Sequence, residues 1–366
     1  MDKITVTSPL LPPLEELSPY LEDIWSRKWL TNSGYYHQKL EAELCDFLDV
    51  PFISLFSNGT LALITALQAL ELKGEVITTP YSFVATSHAI LWNNLKPVFV
   101  DIDPTTFNID PDKIEAAITQ ETCAILPVHV YGNPCDNESI KKIADKHKLK
   151  VIYDAAHAFG VTQDDSSILN MGDLSILSFH ATKAYSTIEG GAVICHSQEM
   201  KDKLDKLKNF GFESEVDIKF AGMNAKLNEV QAAFGLVSLK HVDAAIAKRK
   251  NIADVYYKDL DGLSGLSFFK PADSLKWNYS YFPIIINENK FGSSREQLFE
   301  RLKENDILAR KYFSPLITEF ELYKLFTGDY THSEKVSKNV ICLPIHADLS
   351  LSDVKKIVEI VKHDNK

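Results

Sequence analysis

Apolar and polar positions change rhythm twice along the chain. From Leu14 to Leu48 apolar residues recur at helical spacing, broken by Trp29-Leu30-Thr31-Asn32-Ser33-Gly34. From Phe52 onward, short and nearly continuous apolar runs take over. Phe52–Phe56, Glu75–Thr79, Pro97–Asp101, Ala124–Val128, Val151–Asp154, Leu174–Ser178 and Gly191–Cys195 predict strands. Leu61–Leu70, Phe83–Trp92 and Asn137–His147 predict helices between them. Strands without polar alternation are covered on both faces, so the pattern predicts an α/β fold with a mostly parallel sheet, closed by Gly191–Cys195. The second change follows Leu227–Tyr257, which reads as one long connecting helical stretch. Beyond it, Tyr279–Ile286 and Val340–Leu343 predict strands, and Ser294–Asn305 and Ser352–Lys362 predict helices. That is a smaller α+β unit. The expected division is a large domain over residues 1–235, including the N-terminal helical segment, and a small domain over residues 236–366.

Composition adds exclusions. At 366 residues the chain exceeds what one compact core usually serves, which suits two domains sharing a cleft. A net charge of −11 argues against nucleic acid or an anionic membrane as partner, but not against a small anionic substrate. No run approaches the ~20 apolar residues of a membrane span, and Met1–Pro13 lacks the features of a secretory signal. The five cysteines (Cys45, Cys123, Cys135, Cys195, Cys342) are scattered and never spaced CxxC. They predict reduced thiols in a cytoplasmic protein, with neither a disulfide framework nor a metal site.

The chemistry concentrates after Leu174–Ser178. There Ser178-Phe179-His180-Ala181-Thr182-Lys183 is followed by Glu189-Gly190-Gly191-Ala192. Most lysines are solvated surface charges. This one directly follows an apolar strand and precedes a glycine pair, where backbone must come close to something. Upstream, Val151-Ile152-Tyr153-Asp154 ends a buried-type strand in a carboxylate. Asp154 could simply cap the next helix. Buried, it would need a cationic partner, and a protonated pyridine nitrogen supplies one. A lysine able to form a Schiff base and an aspartate able to hold a pyridinium proton are together the requirements of a pyridoxal 5′-phosphate (PLP) enzyme. Around them, Ser57-Asn58-Gly59-Thr60 opens a helix whose N-terminus suits a phosphate, with Gly59, Thr60 and the Ser178 hydroxyl as candidate ligands. Phe83 is a candidate to stack on the pyridine face, and His157 to donate to its 3′-oxygen. His180 is a candidate to touch substrate or assist proton transfer. Asn58–Thr60, Asp154, Ser178 and Lys183 all fall at or just after strand C-termini, where ligands bind in such sheets.

These residues resemble the DegT/DnrJ/EryC1/StrS group of sugar-nucleotide aminotransferases. The resemblance runs through Asn58-Gly59-Thr60-Leu61-Ala62-Leu63, Tyr81–Thr86, Pro97–Asp103, Val128–Gly132, Asp154–Ala158, Ser178–Lys183, Gly222–Ala233 and Ala309–Leu316, so it spans nearly the whole chain. It implies the PLP-dependent transferase fold type I and a homodimer with shared active sites. It also implies that Asn224 reaches the cofactor phosphate of the partner subunit. His157 departs from the family's common glutamine, but either side chain can donate to the 3′-oxygen. Dehydratases of the family carry histidine in place of the lysine, so Lys183 favours transamination. A non-catalytic regulator would tolerate loss of Lys183 or Asp154, and both are present. The Phe179–Lys183, Lys208–Gly211 and Ala309–Phe313 segments look most like members that aminate C4 of TDP-4-oxo-6-deoxy-D-glucose for O-antigen and other surface polysaccharide. L-Glutamate is the expected donor. A 3-aminotransferase or a UDP-sugar enzyme remains the alternative.

Overall fold

The structure is a computed structural model that describes residues 3–363. Among these, seven strands form the main sheet: Phe52–Phe56 (β1), Glu75–Thr78 (β2), Lys96–Phe99 (β3), Thr122–Ile125 (β4), Lys150–Asp154 (β5), Leu174–Ser178 (β6) and Gly191–Cys195 (β7), in the order β1-β7-β6-β5-β4-β2-β3. The expected mixed, mostly parallel sheet is found. The strand expected to close it does not lie at an edge. β7 sits between β1 and β6 and runs antiparallel to both. Strand order depends on non-local pairing, which a local apolar pattern does not encode.

Helices cover both faces. Their starts follow from side-chain caps: Asn58 for Gly59–Ala69 (α1), Asp136 for Asn137–His147 (α2), Ser197 for Gln198–Leu207 (α3) and Asn228 for Glu229–Leu239 (α4). The stretch predicted as one connector is two helices, α4 and Val242–Leu260 (α5), interrupted at Lys240–His241. The expected division at residues 235/236 falls inside α4.

The C-terminal part has its own antiparallel sheet, Leu266–Phe268, Phe282–Ile286 and Val340–Leu343. One apolar core nonetheless runs from Leu40 and Leu44 through Leu177 and Leu227 to Ile284 and Val354. Polar ties fix the two sheets' surroundings to each other. Asn278 Nδ2 donates to the carbonyls of His157 (2.8 Å) and Phe159 (3.0 Å). Trp277 Nε1 donates to the Tyr131 carbonyl at 3.0 Å. Buried Asp101 accepts the N–H groups of His332 and Ser333 (2.9 and 2.7 Å), holding the start of the Thr331–Asn339 helix beside the end of β3. Among the described residues no helix is long and apolar enough to cross a membrane.

Candidate active site

The carboxyl ends of β1, β5 and β6 open into one cavity of about 790 Å³. β1 ends at Phe56 and α1 begins at Gly59, capped by Asn58 Oδ1, which accepts from the Leu61 N–H at 2.9 Å. The N–H groups of Gly59 and Thr60 lie ahead of that cap, and an anion at this helix end would meet them. A Cβ on Gly59 would come within 3.0 Å of Ser178 Cβ, so glycine lets the helix end approach β6. The close approach expected at the glycine pair is found here too. A Cβ on Gly191 would stand 2.6 Å from Gly59 N, so β7 packs directly against the turn that opens α1.

Asp154, the last residue of β5, is buried. Thr86 Oγ1 donates to its Oδ2 at 2.7 Å, and the Ala156 N–H donates to Oδ1 at 3.1 Å. Neither partner is charged. Burial raises the carboxyl above its ordinary range, against these hydrogen bonds and the nearby charge of Lys183.

His157 is buried three residues on. Its Nδ1 accepts from the Tyr131 N–H at 3.1 Å, so the single proton of the neutral ring sits on Nε2. Burial, and then the charge of Lys183, hold the ring well below the usual imidazole range and keep it neutral. The cavity wall thereby carries an Nε2–H donor whose tautomer is set by the backbone.

Lys183 lies in a turn closed by its own N–H to the His180 carbonyl at 2.9 Å. Its Nζ donates to Tyr281 Oη at 3.4 Å. Burial pushes the ammonium down to about 8, opposed by the charge of Asp154. Such an amine is neutral often enough near pH 7 to act as a nucleophile or base.

Phe83, the residue before the Val84–Trp92 helix, is 61% exposed at the cavity mouth. His180 stands at the rim, with Nδ1 2.8 Å from Thr182 Oγ1 and Nε2 3.6 Å from Glu189 Oε1. Thr60 and Ser178 complete the predicted residues that line the cavity. Asn224 does not line it. It is exposed and bridged to Asn209. The sequence reading missed Tyr281, Tyr312 and Phe313 in the lining, and Thr86 behind Asp154. Thr86 and Tyr312–Phe313 lay inside segments that carried the resemblance, but nothing in their spacing assigned them a task.

The sequence profile of the DegT/DnrJ/EryC1/StrS aminotransferase family matches residues 14–362. The chain belongs to this family. It is 56% identical over 363 residues to the dTDP-4-amino-4,6-dideoxy-D-glucose transaminase of Shigella dysenteriae, covering 98% of each chain. Among solved structures it is similar to DesI in the presence of its TDP-sugar product, with TM-score 0.95 and 32% identity, covering 99% of this chain and 93% of that one. It is also similar to NtdA from Bacillus subtilis with bound cofactor PMP, with TM-score 0.89 and 30% identity, covering 96% of this chain and 81% of that one.

The protein is a PLP-dependent aminotransferase of this family, and its cavity fits that group on its own chemistry. A buried carboxylate without a cationic partner suits a pyridinium. A glycine-opened helix end suits a phosphate, and a lysine depressed to about 8 suits covalent capture of an aldehyde.

Proposed function

We propose that this aminotransferase converts TDP-4-oxo-6-deoxy-D-glucose to TDP-4-amino-4,6-dideoxy-D-glucose with L-glutamate as amino donor, in the cytoplasm, for surface polysaccharide. The observation that carries the substrate is the 56% identity, across 98% of both chains, to a transaminase named for that amino sugar. Bound PLP supplies the electron sink that makes the donor's Cα–H acidic.

The residues divide that work. Lys183 Nζ would hold the cofactor, and its neutral amine would take the proton from Cα of the donor and, in the return half, deliver one to C4 of the sugar. Asp154 would hold the pyridinium proton, with Thr86 and the Ala156 N–H keeping its carboxylate aimed. His157 Nε2–H would donate to the 3′-oxygen. Gly59, Thr60 and Ser178 would hold the phosphate from one side. Asn224 would hold it from the partner subunit of a homodimer, which suits its exposure outside its own chain's cavity. Phe83 would stack on the ring, and His180 would meet the sugar at the rim.

The test is a panel of TDP- and UDP-linked 3-keto and 4-keto sugars incubated with holoenzyme and L-glutamate, with products read by mass spectrometry. Amination of the TDP-4-keto sugar, with 2-oxoglutarate formed in equal amount, is the expected result. Preferential turnover of a 3-keto or UDP-linked substrate would replace this assignment.

A further inference from the structure

Once the cofactor's neighbours are assigned, the lining left over includes Tyr281, Tyr312 and Phe313. Of that remainder, these three stand against Lys183 and His157, which makes them the side where a sugar at the reacting centre would pack. Phe313 lies parallel to His157, with ring centroids 6.0 Å apart at 4°. Tyr312 meets Tyr281 edge-on at 5.8 Å and 89°, and Tyr281 is in turn the partner of Lys183. The Tyr312–Phe313 pair therefore touches both catalytic neighbourhoods. Neither residue belongs to a helix or strand that would fix it.

The turn is closed locally by the Ser314 N–H to the Lys311 carbonyl at 2.7 Å, and a second anchor comes from the loops that follow β2 and β4. The carbonyl of Tyr312 accepts from the hydroxyls of both Tyr81 (3.0 Å) and Tyr131. Those hydroxyls also lie 2.6 Å from each other. Both side chains are fully buried, and burial raises both phenols, so they stay protonated. Three oxygen contacts share two protons, because each hydroxyl donates once. The two hydroxyls cannot donate to each other simultaneously, so every allowed arrangement gives the Tyr312 carbonyl at least one donor. Tyr131 is itself held in an unusual conformation. Its φ is 57° and that of Gly132 is 82°, both left-handed. A Cβ on Gly132 would stand 2.7 Å from the His157 carbonyl. This turn sends the Tyr131 N–H to His157 and the Tyr131 hydroxyl to Tyr312 from one residue.

We propose that Tyr81 and Tyr131 are positioning residues that act as a redundant pair, holding the Tyr312 carbonyl and so seating Phe313 and Tyr312 as the sugar-binding wall. They act through that wall and do not touch the reacting atoms. This rests on the reaction proposed above.

The test compares Tyr81→Phe, Tyr131→Phe and the double variant in the holoenzyme, measuring the two half-reactions separately. Each single variant leaves one donor for the carbonyl, so each should change kcat/KM for the keto sugar less than about threefold. The double variant leaves the part-buried Tyr312 carbonyl without either hydroxyl donor. It should raise KM for the sugar nucleotide at least tenfold, well beyond the product of the single effects, while the single-turnover rate with L-glutamate alone changes less than threefold. Multiplicative single effects, or equal damage to both half-reactions, would overturn the pair. Should the double variant fail to fold, Phe313→Leu reads the same wall and should show the same split. An unchanged KM for the sugar in that variant would also overturn the proposal. A wild-type enzyme that aminates no TDP-4-keto sugar rejects the functional reading, whereas normal wild-type turnover with indifferent variants rejects only the pair.

Discussion

The cavity has two walls built in opposite ways. One holds Gly59, Asp154, Ser178 and Lys183, each at or just beyond the end of a strand of the same sheet. Their backbones are fixed by ladder, helix and tight-turn hydrogen bonds, and the tasks proposed for them follow from charge and from open N–H and hydroxyl groups. The other wall holds Tyr281, Tyr312 and Phe313. These are aromatic residues outside the helices and strands, held by ring contacts, by one turn hydrogen bond and by the Tyr312 carbonyl's hydroxyl partners. The first wall supplies chemistry and is anchored locally. The second supplies shape and is anchored from a distance. Substitutions on the first should therefore destroy turnover, and those on the second should redistribute it between substrates.

The sharpest way to break this contrast is Lys183→Ala. We expect loss of all measurable turnover and of cofactor fixed to the chain after borohydride reduction, with thermal unfolding near that of the wild type. Retained turnover would show that another group moves the proton. Asp154→Asn comes next. It keeps the shape and hydrogen-bonding reach but removes the charge proposed to face the pyridinium, and kcat should fall by roughly three orders of magnitude. It also carries a signature in pH. Only a neutral amine can attack an aldehyde, so if Lys183 captures the cofactor, capture by the cofactor-free protein should speed up as pH rises through about 8. The charge of Asp154 favours the ammonium, so its removal should move that inflection to lower pH. An upward shift would contradict the assigned coupling.

The second wall predicts a smaller loss. Tyr281→Phe removes one long hydrogen bond to Lys183 Nζ and keeps the ring against Tyr312 and His157. At about 1 kcal/mol, such a bond is worth roughly fivefold in turnover. A loss as large as that of Asp154→Asn would mean that Tyr281 belongs with the chemical wall, and the contrast would fail.

The same contrast explains what the sequence made legible. Lys183 and Asp154 stood out because a charge at the end of an apolar run violates the pattern around it. The β-α alternation exposed the sheet for a similar reason. The interior place of β7 was hidden, because its apolar run reads alike at an edge or between neighbours. The break at Lys240–His241 was hidden because both flanking segments keep a helical pattern. Tyr81, Tyr131 and Tyr312 were hidden more deeply: one bond joins residues 231 positions apart and another joins residues 181 apart. No periodicity records contacts of that separation.

The smallest effect is expected at His157, which belongs to one wall by its nitrogen and to the other by its ring. Nδ1 accepts from the Tyr131 N–H, and Nε2–H faces the cavity. A glutamine can present an amide oxygen and an amide N–H in the same two roles. His157→Gln should therefore keep cofactor affinity and the L-glutamate half-reaction within about threefold of the wild type. It gives up the stack on Phe313, so any loss should appear in KM for the sugar nucleotide. His157→Leu offers no acceptor and leaves the buried Tyr131 N–H unpaired, which costs about 1–3 kcal/mol and should lower the unfolding temperature. If glutamine proved as damaging as leucine, with cofactor binding lost in both, the ring itself would be required. His157 would then belong wholly to the chemical wall, and its stack on Phe313 would not be what it contributes.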